Sequence, residues 1–357
     1  MADINRFDQR LENLPSGIWA RVARIDELKG RFVAGAELGP QALKGLRRSV
    51  LVTSSGASTR IEGAKLSDED VEKMMRGIDI VKFANRDKQE VQGYFELLQN
   101  VFASWEDLSL SEGTIKHFHQ ELLKYVEKDK LHRGEYKHDE NKVEMINEAG
   151  ESVGLLFDTT PAYLTPKEML ELVEWTQGAL EEKRFHTLLI IGNFLVEFLN
   201  IHPFTDGNGR LSRILTNVLL VKAGYAFMPY VSHEKLVEGN KPDYYLALRS
   251  SQRTFKAPGE TVVPWLDFFL AVLLKQAQTA VDLLSAATIE RTLSTKQIVV
   301  WQYLQSKEEA TPGEVASQTG VPRPTVNQAL GKLVRLKMVE KIGLGRATRY
   351  RKQRREI

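Results

Sequence analysis

His202-Pro-Phe-Thr-Asp-Gly-Asn-Gly-Arg-Leu-Ser-Arg213 is a polar, glycine-rich segment between two strongly apolar segments. The apolar residues on either side, at about 185–199 and 209–221, recur at three- and four-residue spacing, which predicts two buried helices. A loop between two buried helices is held rigidly, and loops of this kind commonly carry functional residues. The segment therefore predicts a mainly α fold and the position of its active site.

The second half of this loop has the groups that a phosphate-binding site needs. Gly207 and Gly209 allow the backbone to approach a ligand closely, and the amides of 207–210 lie where the loop enters a helix, which favours an anion. Arg210 and Arg213 are three residues apart and share a helix face, so two guanidinium groups can hold different phosphates. Together these residues predict a phosphate cradle.

Two side chains earlier in the loop add a metal ligand and a base. Asp206 can hold Mg²⁺, which commonly binds one or two carboxylates together with phosphate oxygens. His202 can accept a hydroxyl proton near neutral pH. Each residue alone has an ordinary explanation, because Asp-Gly pairs often form turns and arginines three apart on a helix are commonly solvated. The combination at fixed spacing favours a catalytic site.

The loop resembles the Fic-family motif His-x-Phe-x-(Asp/Glu)-Gly-Asn-Gly-Arg-x-x-Arg at every specified position. The resemblance implies a helical bundle with a β-hairpin flap and a protein adenylyltransferase, which transfers AMP from ATP to a Ser, Thr or Tyr hydroxyl of a target protein or of itself. It implies His202 as the general base, Phe204 as the loop anchor and Asp206 as the Mg²⁺ ligand. It also implies that the ATP-binding residues of the loop are Gly207, Asn208, Gly209, Arg210, Leu211, Ser212 and Arg213.

Two further stretches resemble family motifs. Asn240-Lys-Pro-Asp-Tyr-Tyr245 is similar to a family stretch in which Asn240, Tyr244 and Tyr245 would help to enclose the nucleoside, although both tyrosines also suit an ordinary helix. Ser58-Thr-Arg-Ile-Glu62-Gly63 matches the family's inhibitory motif, on a helix of about 50–63. The resemblance implies that Glu62 pairs with Arg213 and suppresses the enzyme; the alternatives are an ordinary helix terminus and a glutamate that positions water for AMP removal.

The periodicity changes between Arg133 and Tyr163. Residues 143–146 and 153–157 flank Asn-Glu-Ala-Gly150, which predicts a β-hairpin. The resemblance identifies residues 143–157 as the flap that binds the target protein as an added strand. Elsewhere we predict a helix from about Pro40 to Ile61, a capping box at Ser67, helices at about 86–104 and 111–126, and a helix capped by Thr165 and Glu168.

The sequence predicts three regions: an N-terminal helical region at 1–110, a Fic core at 111–285 and a winged helix-turn-helix at 290–357. The last region is basic, and it predicts either a DNA-binding module or a protein-docking element, with a homodimer also open. The residues that favour DNA are Arg323, Asn327, Lys332, Arg346, Arg349, Arg351, Lys352, Arg354 and Arg355.

Composition narrows these options. The 357 residues carry a net charge of only +2 and no cysteine, which excludes a disulfide framework and a thiolate metal site. No apolar run is long enough for a membrane span, so we expect a cytoplasmic protein. Three classes remain: an autoinhibited AMP transferase, a related enzyme that removes AMP or uses another donor, and a DNA-binding regulator with a nucleotide-sensing Fic domain. Gly209 argues against the Doc-like kinase branch.

Overall fold

The computed structural model of the chain describes residues 5–36, 40–77, 85–146, 152–336, 338–343 and 348–352. These residues are mainly α-helical, with two short antiparallel hairpins. The chain divides into two compact units, residues 1–282 and 283–357. None of the helices in the described ranges is long and apolar enough to cross a membrane.

The described residues before position 111 contain five α-helices. They are α1 (Arg6–Gln9), α2 (Ser16–Ala36), α3 (Pro40–Ile61), α4 (Asp68–Met75) and α5 (Asn85–Ser104). The bounds predicted for α3 are confirmed. The motif at 58–63 lies at the C-terminal end of this helix, which begins ten residues before the predicted stretch of about 50–63. The capping box of α4 is also confirmed, because Ser67 Oγ accepts from the Asp70 N–H at 3.2 Å and Asp70 Oδ2 accepts from the Ser67 N–H at 3.2 Å.

Residues 112–222, which include the polar loop at 202–213, contain a hairpin and four α-helices. They are α6 (Glu112–Leu122), β1 (Lys142–Ile146), β2 (Ser152–Asp158), α7 (Thr165–Glu182), α8 (Thr187–Ile201) and α9 (Asn208–Lys222). Residues 188–201 of α8 are all buried, and most of α9 is buried as well, as the apolar pattern predicts. The two strands pair antiparallel from Lys142 opposite Asp158 to Ile146 opposite Ser152, which confirms the hairpin; its turn at 147–151 lies outside the described residues.

The helix predicted over about 111–126 is present as α6, but its predicted end and the predicted cap of α7 are wrong. The helix predicted over 111–126 ends at Leu122, and a 3₁₀ turn follows at Glu127–Asp129. Thr165 does not cap α7, because a 3₁₀ turn at Ala162–Leu164 runs directly into the helix. Glu168, the expected capping-box partner, instead accepts from the Thr160 hydroxyl at 2.6 Å.

Helices α10 (His233–Glu238), α11 (Lys241–Gln252) and α12 (Val263–Thr292) follow α9. The C-terminal unit contains α13 (Thr295–Gln305), α14 (Pro312–Thr319), α15 (Arg323–Arg335), β3 (Val339–Ile342) and β4 (Arg349–Lys352). Its core includes Val300, Leu304, Val315, Val326, Leu330 and Leu333. The strands pair antiparallel, and Ala310 bridges to Tyr350 on β4. Three helices followed by a small hairpin confirm the winged helix-turn-helix.

Candidate active site

The polar loop joins α8 to α9 in an unusual backbone conformation. His202 follows the last residue of α8 with φ of 52°, in the left-handed region, and its N–H donates to the Phe198 carbonyl at 3.0 Å. Gly207 precedes α9 with φ of 80°, a conformation that favours glycine. Because α9 begins at Asn208, the amides of its first turn have no acceptor within the helix and face the loop. This geometry is suited to an anion.

Phe204 anchors the loop in the core. It is fully buried and stacks on His119 of α6, with ring centroids 3.9 Å apart. His119 Nδ1 accepts from the Gly134 N–H at 2.9 Å, which leaves the proton on Nε2, the atom that donates to the Asp206 carbonyl at 3.0 Å. Burial lowers the pKa of His119 to about 4, so the ring is neutral at physiological pH.

The Asn208 side chain serves the loop itself. Its Oδ1 accepts from the Phe204 N–H at 3.0 Å, and its Nδ2 donates to the Phe204 carbonyl at 2.7 Å. Both polar ends of this side chain are therefore used to close the turn. For an incoming phosphate, Asn208 offers its backbone amide.

His202 lies at the rim of the loop with its ring half-buried. Nδ1 lies 3.3 Å from the Leu199 carbonyl, so Nδ1 carries the proton and Nε2 has a free lone pair. Burial lowers the pKa of the imidazole to about 4; the Lys137 charge acts in the same direction, whereas Glu62 and Asp206 oppose it. A neutral imidazole with a free Nε2 is the form that a general base requires.

Arg213 is almost fully buried and contacts the end of α3. Its Nε donates to Ser58 Oγ at 2.8 Å, and its Nη2 donates to the Ser58 carbonyl at 2.9 Å and to Glu62 Oε1 at 2.7 Å. Its Nη1 has no hydrogen-bond partner within the described part of the chain. Burial disfavours the Arg213 charge, but the neighbouring Glu62 carboxylate raises its pKa above the usual value. The predicted Glu62–Arg213 pair is present.

The Glu62 carboxylate also lies against the start of α9. A side chain at Gly209 would overlap Glu62 Oε1, so the absence of a Cβ atom at this position allows the carboxylate to approach. An anionic group thus occupies the helix N-terminus that would hold phosphate.

A second group of charges surrounds the predicted metal ligand. Asp206 Oδ2 pairs with Arg86 at 2.5 Å, and Asp206 Oδ1 pairs with Arg210 at 3.0 Å. Arg210 Nη1 also pairs with Glu90 at 2.8 Å, and Glu90 pairs with Arg86 at 2.8 Å. Burial opposes ionisation of Asp206, yet the arginine charges hold its pKa below the usual value.

The sequence reasoning missed three residues of this site. Arg86 and Glu90 are four apart on a helix, which indicates that they pair with each other but not that they contact Asp206. His119 contacts a residue 87 positions away, and no spacing pattern links the two. Only packing of α5 and α6 against the loop brings these side chains into the site.

The nucleoside-binding residues predicted on α11 are divided by the structure. Tyr244 is buried beside Trp265 and lines a small cavity with Ser212 and Arg213. The Tyr245 hydroxyl lies 3.5 Å from the Ile61 carbonyl, at the end of α3. Asn240 is exposed, and its Nδ2 donates to the Leu236 carbonyl at 2.8 Å. The structure therefore brings the two tyrosines, but not Asn240, to the loop.

The basic residues of the C-terminal unit are partly neutralised. On the exposed surface of α15 lie Arg323 and Asn327, whereas Lys332 is half-buried with its Nζ 3.4 Å from Gln297 Oε1. On the hairpin, Arg349 pairs with Glu309 at 3.1 Å, Arg351 pairs with Glu340, and Lys352 is exposed. Arg346, Arg354 and Arg355 lie outside the described residues.

Comparison with known proteins places this site in a family. The sequence profile of the Fic/DOC family matches residues 109–220, and that of the sugar-specific transcriptional regulator TrmB matches residues 291–354. A probable protein adenylyltransferase of Aquifex aeolicus (strain VF5) is 28% identical over 186 residues, which are 50% of this chain and 51% of the relative. A Fido domain-containing protein of Dictyostelium discoideum is 30% identical over 103 residues, 28% of this chain and 68% of the relative.

The fold comparison agrees. The structure of a Fic family protein from Desulfovibrio desulfuricans G20 aligns with a TM-score of 0.62 at 23% identity, covering 97% of this chain and 98% of that one. The family profile and the Dictyostelium relative, of which the chain covers 68%, show that the chain belongs to the Fic/DOC family. It spans about half the length of the Aquifex relative.

Proposed function

We propose that this chain is a protein adenylyltransferase that transfers AMP from ATP to a side-chain hydroxyl of a target protein and of itself, and that Glu62 holds it inactive. The observation that supports this proposal most strongly is the pairing of Glu62 with Arg213 at 2.7 Å inside an otherwise complete catalytic loop. The name of the Aquifex relative agrees with this activity.

The loop residues divide the work of the reaction. The target hydroxyl oxygen attacks the α-phosphorus, the bond from that phosphorus to the bridging oxygen breaks, and pyrophosphate leaves; the hydroxyl proton moves to His202 Nε2. Negative charge grows on the α- and β-phosphate oxygens during this step. The amides at the start of α9 bind the α-phosphate, Arg210 binds the β-phosphate and Arg213 binds the γ-phosphate, which stabilises that charge by preorganised electrostatics.

Asp206 is suited to bind Mg²⁺. Its Oδ2 already pairs with a cationic group, the guanidinium of Arg86 at 2.5 Å, and the Asp206 side chain is partly exposed. A carboxylate oxygen beside a phosphate cradle is the kind of ligand that Mg²⁺ prefers. When bound, the ion would neutralise charge on the phosphate oxygens. For it to bind at Oδ2, the Arg86 guanidinium has to move away.

Glu62 acts as the brake in this proposal. Its carboxylate lies at the N-terminal end of α9 and accepts a hydrogen bond from Arg213 Nη2. Both of these groups would otherwise bind the phosphates of ATP. ATP that binds while Glu62 remains in place cannot use Arg213 Nη2, so its α-phosphate is not aligned for attack. Release of Glu62 completes the site.

The partners of the enzyme are proposed from neighbouring features. Tyr244 and Tyr245 of α11 help to enclose the nucleoside, whereas Asn240 lies away from the loop and takes no part. Among the residues that the structure describes, the hairpin of β1 and β2 pairs with no further strand, so it offers an edge to which an extended target segment can add. This mode of binding would present the target hydroxyl to His202.

A second role is proposed for the C-terminal unit because the TrmB profile matches it. The exposed residues Arg323 and Asn327 on α15 are suited to duplex DNA, with arginine contacting phosphate or guanine and asparagine contacting adenine. Residues 290–357 should bind duplex DNA with an affinity that falls as salt rises. The absence of any electrophoretic shift at low salt would reject this role.

Intact-mass spectrometry of the Glu62→Gly variant tests the main proposal. The purified variant is incubated with ATP, GTP, UTP or CTP in the presence of Mg²⁺, and we expect a mass gain of one AMP group from ATP. The Glu62→Gln variant, which keeps the side-chain shape, controls for the loss of packing. A mass gain from UTP alone would contradict the AMP assignment, and no gain from any nucleotide would favour a sensing role.

A further inference from the structure

Lys137 binds the backbone on both sides of His202. Its ammonium group donates to the Ile201 carbonyl at 3.1 Å, and its backbone N–H donates to the Pro203 carbonyl at 2.9 Å. The residue is 3% exposed, and burial lowers the pKa of its amine to about 8. The three acceptors of the ammonium group are neutral oxygens, those of Ile201, Asn141 and Thr159. A buried cation held by neutral groups is costly, so these contacts must position it well.

Asn141 binds the next part of the same backbone. Its Nδ2 donates to the carbonyls of His202 at 3.3 Å and Phe204 at 2.9 Å. Its Oδ1 accepts from Lys137 Nζ at 2.7 Å and from the Thr159 hydroxyl at 2.6 Å. Two residues therefore bind four consecutive carbonyls, those of residues 201–204.

The position of these residues along the chain links the loop to the flap. Asn141 immediately precedes β1, and Thr159 immediately follows β2. Lys137, Asn141 and Thr159, which we call the clasp, thus join both ends of the hairpin to the backbone around His202. The hairpin is the surface to which the target is proposed to bind.

The clasp also stabilises a strained residue. His202 adopts a left-handed φ of 52°, which costs a residue with a side chain roughly 1–2 kcal/mol. Such a conformation persists only where surrounding contacts impose it. Lys137 binds the carbonyls on either side of His202. The backbone of His202 therefore cannot change to an ordinary conformation without breaking the clasp.

We propose that Lys137, Asn141 and Thr159 are positioning residues that fix the base His202 relative to the target segment on the flap. This inference rests on the proposed adenylyl transfer. The phosphate-binding groups lie in α9, beyond the residues that the clasp holds, so loss of the clasp should slow transfer and leave ATP binding intact.

The kinetic test uses the Glu62→Gly background. Asn141→Ala and Thr159→Val should each lower kcat by roughly 10- to 100-fold, the effect of a displacement of about 1 Å, with the KM for ATP unchanged. Thr159→Ser keeps the hydroxyl and should retain most of the rate. Asn193→Ala is the matched control, because Asn193 is a fully buried asparagine that bonds to Phe7 and Arg10 away from the loop.

Amide hydrogen exchange gives a readout that does not depend on activity. The Lys137 amide and the amides of 201–206 should exchange faster in Asn141→Ala than in the parent, and should be unaffected in Asn193→Ala. Equal exchange and equal kcat in Asn141→Ala and Asn193→Ala would overturn the proposal. A loss of kcat/KM for ATP that comes entirely from a higher KM, with kcat unchanged, would overturn it as well. If Glu62→Gly itself transfers nothing, the proposed function fails, and the exchange data still decide whether the clasp holds the loop.

Discussion

The low pKa of His202 predicts an unusual pH dependence of the reaction. With a pKa of about 4, the imidazole is roughly 97% neutral at about pH 5.5; with its ordinary pKa of about 6.5 it would be only about 9% neutral. The Glu62→Gly variant should therefore keep nearly its full kcat/KM for ATP between about pH 7.5 and pH 5.5, whereas an unshifted histidine would lose roughly tenfold. Because Glu62 raises this pKa, its removal moves the acid limb slightly lower.

The assay measures initial rates of self-labelling at ATP concentrations well below the KM and at saturating Mg²⁺, with constant ionic strength. Circular dichroism at each pH verifies that the protein stays folded, because the lowered pKa of His202 makes the folded state less stable in acid. A histidine whose folded pKa is lowered contributes stability above its unfolded pKa of about 6.5, and that contribution is lost as the pH falls toward 4. A tenfold loss of kcat/KM with a break near pH 6.5, in protein that remains folded, would refute the assignment of a neutral base.

Three further predictions concern the contacts around the loop. Glu62→Gln removes the charge that competes for Arg213; since Glu62 is partly exposed we assign this charge about 1–2 kcal/mol, which predicts roughly 5- to 30-fold tighter binding of a non-hydrolysable ATP analogue by calorimetry, and unchanged affinity would contradict it. Arg86→Gln frees Asp206 Oδ2, so half-maximal binding of the same analogue should need less Mg²⁺; an unchanged or higher requirement would show that Arg86 does not compete with the metal. His119→Ala removes the ring stacked on the loop anchor and should lower the free energy of unfolding by about 3 kcal/mol in chemical denaturation, while a loss below about 1 kcal/mol would rule out this anchoring role.

Local sequence patterns predicted a large part of the fold. The apolar periodicity of α8 and α9 identified two buried helices because burial on most faces leaves few polar positions. The capping box at Ser67 marked a helix start because its partner lies three residues away. The same kind of pattern failed at Thr165, where the preceding 3₁₀ turn extends the helical backbone and Thr160 takes the carboxylate that was expected to cap.

The candidate site was predictable only where residues lie in the loop or in a recognisable motif. Glu62 and Arg213 are 151 positions apart, and their pairing followed from resemblance rather than from spacing. Arg86 and Asn141 reach the loop from α5 and from the base of the flap, and their residue types are common on helix surfaces and in turns. Contacts of this kind depend on how helices pack, which a single sequence does not encode in any local period.

The central claim is that a complete transferase is held inactive by Glu62 and depends on His202. The most direct test incubates the wild-type chain, Glu62→Gly and Glu62→Gly combined with His202→Ala with ATP labelled at the α-phosphate, and measures the label that each protein incorporates. We expect faint labelling of the wild type, strong labelling of Glu62→Gly and none of the double variant. Equal labelling of wild type and Glu62→Gly, or persistent labelling of the double variant, would contradict it.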